Sequence, residues 1–380
     1  MEREDRAITH GQTAAAKISA TGRYCIELKR RVTPGEKGCT MYRKIASILA
    51  GATMALTAAT AASAGTLEDV KAKGFVQCGA NGGNLIGFGA TDEKGEWSGI
   101  DVDFCRAIAA AIFNDPTKVK FTPLNAKERF TALQSGEVDV LSRNTTWTMS
   151  RDSSLGLQFV GVTYYDGQGF MVRKSLGVSS ALELSGAKVC TQTGTTTELN
   201  LADFFRSHNM PYEVVAYEKN EEVLQAYEAG RCDAYTTDAS GLYAERLKLT
   251  APDDHMILPE IISKEPLGPA VRQGDDKWFT LVKWTLFALL NAEELGLTKA
   301  NIDEKKASDN PEIKRFLGIE GDFGTPIGLS SDWAYNVIKQ VGNYGEIFDA
   351  NIGPSTQLGI ARGLNNLWSK GGIQYAPPIR

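Results

Sequence analysis

Val140-Leu141-Ser142-Arg143-Asn144-Thr145-Thr146-Trp147-Thr148-Met149-Ser150-Arg151-Asp152 runs from an apolar strand ending into hydroxyl and amide side chains, with an arginine a few residues on. A strand that ends this way offers neutral donors and one fixed cation to a small anionic group. Arginine suits the task because its planar fork meets a carboxylate with two parallel hydrogen bonds. Taken alone, the stretch is equally a polar loop with a surface arginine, which could pair with Asp152 or another carboxylate. The flanking chain decides between the two.

Upstream, the sequence alternates strand and helix. Gly74–Gly79 reads as a strand, the face Phe104, Cys105, Ile108, Ala109 and Ile112 as a helix stopped by Asn114-Asp115-Pro116, and Val119–Phe121 as a strand. Asn125 with Glu128 has capping-box spacing for the next helix, and Gly136 can end it. Strand–helix alternation implies a parallel sheet with helices on its faces, where ligands sit beyond the C-terminal strand ends. Asn144 and Thr146 fall at such an end.

Downstream, a second series repeats the plan. Ala187–Gln192 is a strand, Gly194-Thr195-Thr196-Thr197-Glu198 opens a helix, Glu213–Tyr217 is a strand, and Cys232–Asp238 is a strand ending in an acid. Leu133-Gln134 before Gly136-Glu137-Val138-Asp139 is echoed by Leu224-Gln225 before Gly230-Arg231-Cys232-Asp233. The echo suggests two similar lobes facing each other. The expected fold is therefore α/β with two lobes, each a mostly parallel sheet flanked by helices, and a ligand cleft between them. Residues 66–172 and 266–380 are expected to form lobe 1 with a C-terminal helical extension, and 173–265 lobe 2. The crossings would lie near Val172-Arg173 and Lys264-Glu265-Pro266.

The chain of 380 residues has a net charge of -5. Beyond residue 64 it carries 31 Lys/Arg against 41 Asp/Glu, and no basic patch stands out to track phosphates, which argues against nucleic acid. Residues 41–64 have a short basic start, an Ala- and Thr-rich apolar run and Ala62-Ser63-Ala64, the layout of a secretory leader cleaved after Ala64. Met41 is the expected true start, with residues 1–40 an upstream extension outside the mature protein. Four cysteines then remain, Cys78, Cys105, Cys190 and Cys232, and an oxidising compartment favours disulfides. Proximity in sequence and the lobe assignment favour Cys78–Cys105 and Cys190–Cys232, with buried free thiols as the alternative. The lack of CxxC spacing, with His208 and His255 the only histidines beyond residue 64, disfavours a metal site, and no cofactor is implied.

Residues 66–380 closely resemble the periplasmic polar or general L-amino-acid-binding proteins of ABC transporters, in the type II solute-binding family. The resemblance is carried by Trp97–Cys105, Leu133–Val140, Arg143–Thr148 with Arg151-Asp152, Tyr164–Phe170, Arg362–Asn365, Leu367-Trp368 and Tyr375–Pro378. It implies that Arg151 binds the α-carboxylate of a free L-amino acid. Asn144 and Thr146 would line that group and the α-amino group, Thr195 and Thr196 would present a helix start to the carboxylate, and Asp238 would take the ammonium. Leu85 and Phe88 fall where side-chain-pocket residues sit, and Arg143 would favour acidic or amide side chains. The resemblance further implies a monomeric periplasmic protein with no catalytic residues that delivers its ligand to an inner-membrane permease. The competing reading is an enzyme on the same fold, such as a cyclohexadienyl dehydratase, for which no additional general acid is evident in the strand-end loops. Asp238 could alternatively be an ordinary N-cap of the helix that follows it.

Overall fold

The computed structural model describes residues 65–380; the leader and the segment before it lie outside the described residues. Two five-stranded sheets are built to one plan. The first runs Val119–Leu124, Val76–Asn81, Val140–Leu141, Ala270–Arg272, Leu157–Phe159. The second runs Glu213–Tyr217, Lys188–Gln192, Ala234–Asp238, Gln168–Arg173, His255–Ile257. In each, three parallel strands are followed by two paired antiparallel. Val76–Asn81 and Lys188–Gln192 are central strands covered on both faces, hence the near-continuous burial of their side chains.

Helix boundaries follow local chemistry. Asn125 Oδ1 accepts the N–H groups of Lys127 and Glu128, while Glu128 reaches back to the Asn125 N–H. Ile100–Phe113 ends on Asn114 in the left-handed conformation (φ 52°), which asparagine tolerates better than a bulkier residue. Asp276–Glu294 is the longest helix among the described residues. Its apolar side chains enter the first lobe's core, and Trp278 Nε1 donates to the Asp139 carbonyl at 3.0 Å. Both expected disulfides are formed: Cys78–Cys105 joins a central strand to the helix over it, and Cys190–Cys232 lies within the second lobe.

The chain passes between the sheets twice, and the two passages are hydrogen-bonded to each other. Tyr164–Asp166 pairs antiparallel with Glu265–Leu267, with Asp166 opposite Glu265 and Tyr165 opposite Pro266. Gln168–Arg173 lies wholly in the second sheet, so the first passage is at 164–166 rather than at Val172-Arg173. Continuous apolar character through Gly169-Phe170-Met171-Val172 gives no signal of which sheet the segment joins. Gly268 permits the close approach of this ribbon to the preceding loop, since a Cβ there would lie 2.0 Å from the Gly161 carbonyl oxygen. The C-terminal region packs on the first lobe through Trp333, Val337, Ile338, Tyr344 and Phe348. It also reaches the ribbon: Tyr165 N–H donates to Asn365 Oδ1 at 2.6 Å, and Asn365 Nδ2 donates to the Tyr165 carbonyl at 3.0 Å.

Candidate ligand cleft

Asn81, Gln192 and Asp238 close the three strands Val76–Asn81, Lys188–Gln192 and Ala234–Asp238, and Asn144 follows Val140–Leu141 by three residues. All four line one small cavity between the sheets together with Leu85, Asn220 and Glu245. The cavity has a volume of about 20 Å³, room for a single water. The lobes touch around it. Thr146 Oγ1 lies 3.3 Å from Thr196 Oγ1, Lys127 forms an ion pair with Glu218, and Lys248 Nζ donates to the Gly83 carbonyl at 3.4 Å. This is a closed cleft.

The first-lobe half is held by a buried acid. Asp101 accepts Ser142 Oγ at 3.1 Å and the Asn144 N–H at 2.7 Å, fixing the loop after Val140–Leu141. Burial pushes the Asp101 carboxyl up to about 6 against these hydrogen bonds and the nearby Arg143 cation. Asn144, at φ 30°, turns its Oδ1 to accept Asn81 Nδ2 (2.8 Å) and Arg143 Nη1 (3.3 Å). Thr148 caps the short Met149–Ser154 helix by accepting the Arg151 N–H, which sends the Arg151 side chain inward. One guanidinium nitrogen of Arg151 donates to the Thr146 carbonyl at 2.8 Å, and the group packs over the Phe130 ring. Arg151 is 7% exposed, and no described carboxylate lies within ion-pair distance of it, Asp152 included.

The second-lobe half is the mirror in charge. Thr195 caps the Thr196–Ser207 helix, accepting the Glu198 N–H and donating to the Gln192 carbonyl at 2.6 Å. Its hydroxyl is therefore occupied by the chain itself, while the first N–H groups of the helix lack intrahelical acceptors and favour an anion. Asp238 stands at the N-cap position of Ala239–Arg246 without capping it. That work is done by Asp166, whose carboxylate accepts both the hydroxyl and the N–H of Ser240. The Asp238 carboxylate, 8% exposed, accepts no hydrogen bond from any described residue. Burial, with Asp166 and Glu265 nearby, holds it well above the usual carboxylate range despite Arg129 and Arg151.

Three arginines converge on the first-lobe side. Arg129, Arg143 and Arg151 are all at most 7% exposed, and burial depresses each below its ordinary value, Arg143 to about 10. Arg143 donates to the Leu124 carbonyl and lines a second, open chamber of about 480 Å³ with Lys219, Asn125 and Gly82; Gln192 and Asn220 border both chambers. Leu85 lines the inner cavity, whereas Phe88 is 1% exposed and lies edge-on to Tyr164 at 5.2 Å, supporting the floor from behind. Thr146 and Thr196 both donate to Glu265 Oε2, at 2.6 and 2.8 Å. Sequence reasoning passed over Glu265, Asp166, Arg129 and Gln192. The available signal was a lone acid in each apolar crossing, Asp166 in Tyr-Tyr-Asp-Gly and Glu265 in Glu-Pro-Leu-Gly.

Two lobes hinged at a paired ribbon, closing over buried charges of opposite sign, define a solute-binding protein that traps its ligand between domains. The chain belongs to the bacterial extracellular solute-binding proteins, family 3, whose pattern matches residues 80–300. It is 68% identical over 342 residues to the general L-amino acid-binding periplasmic protein AapJ of Rhizobium johnstonii, covering 90% of this chain and all of that one. It is 60% identical to the glutamate/glutamine/aspartate/asparagine-binding protein BztA of Rhodobacter capsulatus, over 86% of this chain and 97% of that one. Among solved structures, a periplasmic binding protein from Brucella ovis with glutathione bound superposes with a TM-score of 0.82 at 65% identity, covering 83% of this chain and all of that one. These relatives are binding proteins rather than enzymes, and the dehydratase reading finds no support among them.

Proposed function

We propose that this protein is the periplasmic substrate-binding component of an amino acid ABC transporter. It captures free L-amino acids by lobe closure and delivers them to an inner-membrane permease. The single observation that carries this reading is the pair of unmatched buried charges. Arg151 has guanidinium N–H groups without a carboxylate, and Asp238 has a carboxylate without a donor. A buried unpaired charge costs several kcal/mol, so a ligand that supplies an ammonium beside a carboxylate shifts the lobes further toward the closed state. Lobe 1 is read as 66–167 with 265–380 and lobe 2 as 168–264, with the 164–166/265–267 ribbon as the hinge. Asn144 borders the α-amino end of the ligand beside Asp238, Leu85 borders its side chain, and Arg143 stands further out, suited to an acidic or amide tip. The protein is taken to act as a monomer after removal of the 41–64 leader.

A longer ligand that begins with the same α-amino acid head is favoured by one further observation. Gln192 and Asn220 stand between the inner cavity and the chamber that Arg143 and Lys219 line, and border both. A γ-glutamyl peptide such as glutathione fits that layout, with its second carboxylate placed on Arg143 and Lys219, in a chamber that Glu128 and Glu221 also line. A thermal-shift screen of the twenty amino acids and glutathione tests both readings, because a ligand that binds only the folded state raises the melting temperature by mass action. Glutamate, glutamine, aspartate and asparagine are expected to stabilise the protein. A screen with no amino acid active overturns the assignment.

A further inference from the structure

Glu265 sits on the second crossing, opposite Asp166 in the hinge ladder, and is 1% exposed. Its carboxylate accepts four side-chain hydrogen bonds. Thr146 Oγ1 (2.6 Å) and Thr196 Oγ1 (2.8 Å) meet Oε2, and Asn200 Nδ2 (2.7 Å) and Ser263 Oγ (2.7 Å) meet Oε1. Thr146 belongs to the loop after Val140–Leu141, on the first-lobe side. Thr196 and Asn200 lie one turn apart on the Thr196–Ser207 helix of the second lobe. One carboxylate thus ties the two halves of the cleft to the hinge between them.

The proton count of the hydroxyls limits what they can do. Each threonine has one O–H to donate, and both are given to the same Glu265 oxygen. Neither is left for a ligand carboxylate while this arrangement stands. The expectation that Thr146 and Thr196 donate to the ligand is therefore better met by their neighbours: the free N–H groups of Arg151 and those that open the helix.

We propose that Glu265 is a positioning residue that straps the lobes in the closed state, with the single hydroxyl protons of Thr146 and Thr196 given to the strap. The inference rests on the amino-acid-binding reading above and adds the element that holds the trap shut. Because Glu265 acts on closure, its loss weakens glutamate and glutamine, which share one α-amino acid head, by the same factor. It also shifts the ligand-free protein toward the open form, which lowers apparent affinity in proportion to the competent fraction.

The test is a double-mutant cycle. Calorimetry with glutamate and with glutamine is run on the wild type, Thr146→Val, Glu265→Ala and the double variant, with Thr196→Val as a second route to the same contact. Each single change is expected to weaken binding on the order of 10- to 100-fold, the range for a buried hydrogen bond to a charged acceptor. The ratio between glutamate and glutamine stays unchanged, and the double variant loses no more than Glu265→Ala, which already removes the bond that Thr146→Val removes. Small-angle scattering of the ligand-free proteins is expected to show Glu265→Ala and Thr196→Val expanded relative to wild type. Additive losses in the cycle, or identical scattering for wild type and both variants, overturn the strap. A wild type that binds neither ligand overturns the functional reading instead, and scattering still judges the strap.

Discussion

Replacing Asp238 with asparagine should push binding and stability in opposite directions. The change keeps the side chain's shape and removes its charge. In the ligand-free protein that charge is a liability: Asp238 is buried, accepts no hydrogen bond, and lies near Asp166 and Glu265. Each unit by which folding lifts a carboxyl pKa costs about 1.4 kcal/mol of stability once the pH exceeds both values. Asp238→Asn is therefore expected to melt higher than wild type without ligand, at roughly 1–2 °C per kcal/mol for a chain of this size. With an amino acid in the closed cleft, the ligand ammonium loses a cavity carboxylate that accepts no hydrogen bond from any described residue. Breaking a buried pair by removing one member costs about 3–5 kcal/mol, or roughly 150- to 5000-fold in Kd. Differential scanning calorimetry of the ligand-free proteins and titration calorimetry with glutamate measure the two effects. Unchanged affinity, or a ligand-free variant that melts lower than wild type, refutes the role given to Asp238.

Arg151→Lys keeps the cation but loses the fork, so affinity should drop about 10- to 100-fold while Arg151→Ala abolishes tight binding; titration showing Arg151→Lys equal to wild type contradicts bidentate capture. Ligand binding should release protons, because the ammonium favours ionised Asp238 where burial had raised its pKa; affinity then rises with pH up to the pKa of the empty cleft, and calorimetric heats differ between buffers of different ionisation enthalpy. A buffer-independent heat across the acid range contradicts this linkage. The Cys190–Cys232 bond closes a 42-residue separation, so Cys190→Ser with Cys232→Ser should lower stability by about 3–4 kcal/mol in urea unfolding, with no change in midpoint as the contrary result. Mass spectrometry of the exported protein should place its first residue at Gly65, and a peptide containing Tyr24 in the unprocessed product contradicts a start at Met41.

The elements and the poles of the site were legible because they rest on local chemistry. Alternating strands and helices, the capping spacing at Asn125 and at Thr195, and the polar residues closing apolar strands all leave marks a few residues long. The resemblance of Arg143–Asp152 and Asp238 to known binding motifs supplied the rest. What stayed hidden depends on contacts distant in sequence. Whether Asp238 caps its own helix turned on Asp166, more than seventy residues earlier, doing the capping in its place. Glu265 reads as one acid in a proline-containing extended segment until Thr146, Thr196 and Asn200 are brought around it. The passage between the sheets at 164–166 was obscured because Gly169–Val172 is as apolar as either sheet requires.

The amide of Asn365 has a consequence for solubility. A two-stranded ribbon consists entirely of edges, and an open edge invites a strand from another molecule. Pro266, opposite Tyr165, has no N–H to offer, and its carbonyl is already taken by the Trp147 N–H at 2.8 Å. Tyr165 would then present a bare N–H and C=O on the flank of the hinge. Asn365 fills both, its side chain standing in for one peptide unit of a third strand. The C-terminal region thus shields the joint on which the lobes turn. Loss of that one side chain would expose the hinge to strand addition without touching the cleft, making self-association rather than weak binding the first sign of damage.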